Sequence, residues 1–194
     1  MAGVPFTVRQ PGGRPAPKAW IARAGMAATL ACALPQAAMA QNQTEVRDTS
    51  GDWNIECVVG TDNCLMSQIG KTAQGEDALR MSVRALKGVT AQNGETLPAA
   101  INFLAPLGVA IGAGLTVQVD SKQQRRGGYE VCLRNGCVVS QPIDDAFLNE
   151  LKNGNTAKIT FLIVQGGSQS GTQTTPVDIN ISLRGFTRAF GQID

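Results

Sequence analysis

Five cysteines, a scatter of carboxylates and no histidine are the groups with which this 194-residue chain could do chemistry. Without histidine, no Ser–His or Cys–His nucleophile pair and no His-ligated metal can be assembled. Cys32 lies in an apolar N-terminal run; Cys57, Cys64, Cys132 and Cys137 lie further on. Structural zinc sites favour short paired gaps, often completed by histidine. Here the gaps are six and four residues, which fits zinc poorly. A redox role would show C-x-x-C beside a βαβ unit, and neither is present. The four later cysteines therefore read as two structural disulfides, with three pairings open. Proximity favours Cys57–Cys64 and Cys132–Cys137; cross-linking between the two turns is the competing outcome. An Asn135-Gly136 type I′ turn would leave Cys132 and Cys137 diagonal, about 7–8 Å apart. A disulfide prefers about 5.5–6 Å. A bonded pair thus predicts Leu133–Gly136 as a four-residue loop closed by the cysteines.

Paired carboxylates could support glycoside-type hydrolysis. Asp144, Asp145 and Glu150 cluster in sequence, Asp120 ends a predicted strand and Asp62 lies in a turn. Helix starts and turns recruit aspartate for structural reasons, so these acids are read first as caps. Gly108, Gly112 and Gly114 form a glycine-rich run, but no Lys-Ser/Thr follows and a strand comes next, so phosphate cradling fails its context. The run is read as a tight connection. No catalytic residue, cofactor-binding residue or metal ligand is assigned, and no cofactor is implied.

The first forty residues read as an address. Arg9, Arg14, Lys18 and Arg23 precede an alanine-rich apolar run, Ala24–Ala40, that ends Ala38-Met39-Ala40. Basic, apolar and small-x-small segments in that order form a secretory signal peptide, with cleavage expected between Ala40 and Gln41. The run is short, broken by Pro35 and poor in branched aliphatics, so it makes a weak membrane anchor. A lipid-attached Cys32 is disfavoured because Leu30 is misplaced for a lipobox. All four leader charges are basic, so 13 of the 17 Lys and Arg remain against 15 acids, a formal charge of −2. That balance leaves no basic surplus for nucleic acid or anionic lipid, Arg125-Arg126 being a local exception read as a loop. No integral membrane span is expected in the mature chain. With 43% hydrophobic and 16% charged residues, the chain is also not a disordered polymer.

The mature chain reads as one β-rich domain over 51–194, preceded by a flexible lead-in over 41–50. Trp53, Ile55, Cys57 and Val59 share a face, as do Leu79, Met81, Val83 and Ala85; Leu115, Val117 and Val119; and Val177, Ile179, Ile181 and Leu183. Strict alternation means half-buried strands and antiparallel pairing. Ile101–Leu104, Tyr129–Leu133, Val138–Val139 and Ile159–Val164 add candidates. The fold expected is mainly β, an antiparallel sandwich or open barrel stapled by disulfides. One helix is predicted over about 143–153, with Asp144 as N-cap, Ile143 and Leu148 as a staple and Gly154 at C′. Phe186–Ile193 adds a final helical turn, and Gln165–Thr175 reads as a mobile hairpin loop.

Trp53-x-Ile-x-Cys57, Cys64, Pro106-Leu107-Gly108-Val109, Gly114-Leu115, Val119-Asp120, Cys132, Gly136-Cys137 and the closing Pro176-Val177-x-Ile-x-Ile-Ser182-Leu183-x-Gly185-Phe186-x-x-Ala189 form an ordered set. Together they resemble the invasion-associated locus B family of exported alphaproteobacterial proteins, from Trp53 to about Phe190. The resemblance implies an exported, periplasmic or surface β-rich protein whose family cysteines match all four here, with no established catalytic residues to carry over. In some pathogenic members the family is linked to host-cell entry; host invasion does not follow for this chain. The function expected is a non-enzymatic envelope protein that binds an envelope or surface protein or glycan. The alternatives are a carboxylate-based hydrolase of cell-wall or glycan material, and a carrier holding a small apolar ligand inside the β structure.

Overall fold

Period-two alternation becomes a sheet because each apolar set is turned to one side of its strand. Trp53, Ile55, Cys57, Leu79, Met81, Val83, Leu115, Val117, Val119, Ile179 and Ile181 are all buried. The computed structural model describes residues 43–166 and 173–194. The leader 1–40, its cleavage point at Ala40 and Gln41, and Cys32 lie outside the described residues. Eleven strands run as β1 (Thr44–Ser50), β2 (Trp53–Val58), β3 (Cys64–Lys71), β4 (Asp77–Ala85), β5 (Ala99–Ala105), β6 (Leu115–Val119), β7 (Arg125–Gly127), β8 (Val131–Leu133), β9 (Gly136–Ile143), β10 (Thr156–Gln165) and β11 (Gln173–Ser182). Helices α1 (Asp145–Asn153) and α2 (Phe186–Phe190) and a short 3-10 turn, Ile111–Ala113, complete the order.

All strands belong to one antiparallel sheet, ordered β7-β6-β10-β11-β3-β4-β5-β9-β8, with β1 on β2 and β2 on β3. The sheet curls until its margins approach. The Gln141 side chain donates to the Arg126 carbonyl at 3.0 Å, and a Cβ at Gly127 would collide with Val139. The result is a half-barrel, the open form of the expected architecture. Its interior is filled by Trp53, Phe103, Phe161 and Phe186 and the aliphatics around them. Those side chains occupy the space that a carrier with a ligand inside the β structure, one of the alternatives above, would use.

The curl turns on β3. One edge of β3 pairs with β4; the other pairs with β2 through Cys64–Ser67 and with β11 only at Lys71. Between those two partners the strand ladder is interrupted, and side chains take its place. Gln68 accepts from the Ser182 N–H at 2.9 Å and donates to the Ser182 carbonyl at 3.0 Å. The Trp53 indole donates to the same carbonyl at 3.0 Å. Gly70 lets β11 close in, since a Cβ there would strike Ile179 and Ile181.

Two elements differ from expectation at the strand level. The lead-in 41–50 is not a free segment: Thr44–Ser50 pairs along β2, with a bulge between Val46 and Asp48. Six of its seven residues are exposed, so main-chain pairing holds it and no apolar period announces it. The loop expected over Gln165–Thr175 is shorter, because Gln165 pairs with Gln173 and Thr174 and Thr175 are in strand; residues 167–172 lie outside the described residues. Val59 falls past the end of β2 and is exposed, and Tyr129 precedes β8.

Helix α1 forms as its caps require. The Asp144 carboxylate accepts from the Phe147 N–H at 2.6 Å, and Phe147, Leu148 and Leu151 are buried. Gly154 is needed for a different reason from the one expected. Its backbone is extended rather than left-handed, and a Cβ would collide with Val119 and Leu183. Helix α2 packs Phe186 edge-on to Trp53, with ring centroids 5.1 Å apart.

Replacing Gln68 with Leu is expected to cost about 1–3 kcal/mol, because the Ser182 N–H loses its partner away from water. Urea unfolding should show a lower midpoint at unchanged slope; an unshifted midpoint would refute the role given to Gln68.

Candidate functional site

The acids that could have formed a hydrolytic pair are engaged elsewhere. Both Asp120 oxygens accept main-chain N–H groups, from Asn155 and Thr156, each at 3.0 Å. Glu150 takes a two-pronged pair from Arg125, at 2.6 and 3.2 Å, and Arg125 lies 4.2 Å from the Phe147 ring centre. Asp144 caps α1, Asp145 is exposed in its first turn, and Asp62 sits beside Arg47. Asp120 and Glu150 do line one open hollow with Lys122 and Asn149. Among the described residues no three Cys, Asp or Glu gather as a metal site.

The two disulfides join Cys57 to Cys64 and Cys132 to Cys137, each between directly opposed residues of adjacent strands. In the second hairpin the turn falls on Arg134-Asn135, with Leu133 opposite Gly136. That register brings the Cys132 and Cys137 Cα atoms to 3.9 Å, where the Asn135-Gly136 turn would have left them diagonal.

Strand direction gives the half-barrel two unlike ends. Strands β3, β5, β8 and β10 run toward one end, and β4, β6, β9 and β11 start from it. Both helices follow strands that finish at the opposite end, and they close it with Leu151, Phe186 and Phe190. At the end away from α1 and α2 five aliphatics reach solvent: Ile69, Leu107, Ile111 in its 3-10 turn, Leu133 and Val164, between 36% and 59% exposed. Backbone braces hold them out. Ala110 donates to Leu162 and Val164 to Gly108, while the Cys132–Cys137 bond ties the turn bearing Leu133.

The outer face of the sheet leads into this end. Register aligns Ile69, Arg80, Leu104, Val138 and Val131 in one row across β3, β4, β5, β9 and β8. The next row, Ser67, Ser82, Asn102 and Ser140, is polar. Two hollows flank Arg80 and Leu104. The one nearer the open end, of about 350 Å³, is lined mainly by Ile69, Ala78, Leu79, Leu104 and Pro106. The other is lined by Leu65, Ser82, Phe103 and Val138, and Arg80 and Asn135 border both. Arg80 spends only Nη2, on Glu56 and on the Ser67 hydroxyl. Its Nε and Nη1 and the Asn135 amide have no hydrogen-bond partner among the described residues. An apolar hollow with a few convergent polar groups is the usual form of a binding site.

Comparison with known proteins agrees with this architecture. The family model described as "Invasion associated locus B (IalB) protein" matches residues 53–194. The chain belongs to the invasion-associated locus B family. Its fold is similar to that of invasion associated protein B from Bartonella henselae, known from a crystal structure. The TM-score is 0.57 at 25% identity, over 78% of this chain and 95% of that one. No curated protein matches the sequence.

Sequence reasoning assigned the cysteines but missed Arg80, Asn135, Ile69 and Leu104. Arg80 was legible as outward, between Leu79 and Met81. Its apolar neighbours come from strands whose pairing the sequence does not state, so no local signal marked it. Tyr129, the one tyrosine, is half-buried, and its hydroxyl is enclosed with no hydrogen-bond partner among the described residues.

Two outcomes follow from this geometry. Burial pushes the Tyr129 phenol up to about 12. The unfolded chain ionises near 10, so stability is whole below that pH and is lost as pH rises toward 12. Tyr129→Phe should remove that alkaline loss at no cost near neutrality, since the hydroxyl bonds nothing; an unshifted phenolate titration would contradict the enclosure. Replacing Cys132 and Cys137 together with Ala should cost roughly 2 kcal/mol and speed amide exchange over Val131–Leu133. Unchanged exchange there would show that the bond does not hold the turn.

Proposed function

We propose that this protein is an exported, non-enzymatic binding protein of the envelope, released into the periplasm by cleavage after Ala40. It engages another envelope or surface component, a protein or a glycan, through the end away from α1 and α2 and the adjoining outer face. The observation that carries this reading is the gathering of exposed aliphatics at one end of the half-barrel, around a face that also holds Arg80. Contiguous apolar exposure rimmed by polar groups marks interaction sites in soluble proteins. Two hairpin disulfides support folding in an oxidising compartment, and no helix among the described residues is long and apolar enough to cross a membrane. The structural engagement of Asp120, Asp144 and Glu150 favours binding over hydrolysis.

Photo-crosslinking amino acids placed at Leu107 and Leu133 in living cells should yield discrete adducts, and one placed at Asn149, on α1, should not. Adducts at equal yield from all three positions, or none from Leu107 and Leu133, would overturn the reading. The purified protein should begin at Gln41 by N-terminal sequencing.

A further inference from the structure

We propose that the hollow beside Arg80 is a binding site for a small aliphatic carboxylate, an acyl chain with one free acid group. The proposal rests on the binding reading above and names a ligand for the same face. A hollow of about 350 Å³ is within the range, about 300–1,000 Å³, that suits a small ligand rather than the side chain of a docked protein. Its walls are aliphatic: Ile69, Ala78, Leu79, Leu104 and Pro106 offer carbon and almost no hydrogen-bonding groups to a ligand's body. Polar capacity is concentrated at its border. There Arg80 keeps Nε and Nη1 open, and Asn135 brings an unengaged amide on a turn that the Cys132–Cys137 bond steadies.

Charge decides the head group. A guanidinium presents its N–H donors in a planar fork that matches a carboxylate's two oxygens. Glu56 already takes one prong of Arg80 and is itself largely buried, so the guanidinium is fixed in place before any ligand arrives. That contact occupies Nη2, which both forks of the guanidinium share, so a carboxylate at the hollow takes a single N–H from Arg80 and a second from the Asn135 amide. A quaternary ammonium head has no acceptor for these donors, and the oxygens of a neutral head accept from them more weakly than a carboxylate does. One acidic residue, Asp77, also lines the hollow, and it is paired with Lys71. The acyl chain lies across the strands over Leu104, where each methylene it buries strengthens binding.

The test is a titration of the purified mature protein with decanoate, followed by amide chemical shifts. Decyl maltoside and decyltrimethylammonium serve as neutral and cationic probes with the same tail. Decanoate should bind saturably, with shifts centred on Ile69, Arg80, Leu104 and Asn135, and both controls should bind at least roughly tenfold more weakly. Arg80→Gln should weaken decanoate roughly tenfold or more. That variant strips Glu56 of its partner, so Ile69→Glu, an exposed substitution that sets a carboxylate at the mouth, should give the same loss in a protein that unfolds like the parent. Equal binding of all three amphiphiles, shifts centred elsewhere, or no saturable binding would each overturn the site. If decanoate fails while crosslinks from Leu107 and Leu133 persist, the binding reading survives and this ligand assignment falls.

Discussion

The fold depends on how Ser182 is satisfied. At that residue β11 is still paired with β10 on one side, but on the other its N–H and carbonyl face β3 across an interrupted ladder. An amide side chain can return both a donor and an acceptor to a peptide, and Gln68 does so, with Trp53 adding a second donor. A continuous ladder would have kept β11 flat against β3. With a single residue pair at Lys71 and side chains elsewhere, the sheet can bend sharply at this line, and Gly70 removes the one Cβ that would obstruct it. The bend brings β7 round to β9 and encloses the aromatics that fill the interior.

The same junction explains which strands were legible in the sequence. Strands β4, β6 and β11 each face one core and one solvent side, so their apolar residues alternate and their identity is plain. Strand β3 was not: Leu65, Ser67 and Ile69 face outward and Met66, Gln68 and Gly70 inward, so apolar and polar residues are mixed on both faces. The mixture is itself the mark of a strand that serves as a joint. Strand β1 was invisible for the opposite reason. It buries nothing but Ser50, and main-chain bonds to β2 carry no side-chain signature.

The candidate site was legible only in fragments. Alternation identifies Arg80 as outward on β4 and Leu104 as outward on β5, but their adjacency needs the β4–β5 register, and Val138 needs that of β5–β9. Each register is fixed by turn geometry and by burial of the opposite face, which are properties of the assembled sheet. The helix, by contrast, was legible to its cap, because Asp144 and the Phe147–Leu151 spacing act within one turn. Local chemistry can be read along the chain; chemistry assembled across strands cannot.

The placement of the disulfides follows from what burial leaves undone. Strand β8 is three residues long and exposed throughout, so it contributes almost no apolar area to hold itself against β9. Short edge strands resist unwanted pairing with other chains, and that protection has a cost in attachment. The Cys132–Cys137 bond supplies the attachment the core does not, and it fixes Leu133 and Asn135 at the open end while doing so. The opposite end has its own bond, Cys57–Cys64 between the end of β2 and the start of β3, and Phe186, Ala189 and Phe190 add buried area there. One end of the half-barrel is thus closed by hydrophobic packing. The other is held open by covalent bracing, with apolar side chains left facing water, which makes it the natural place for a partner to bind.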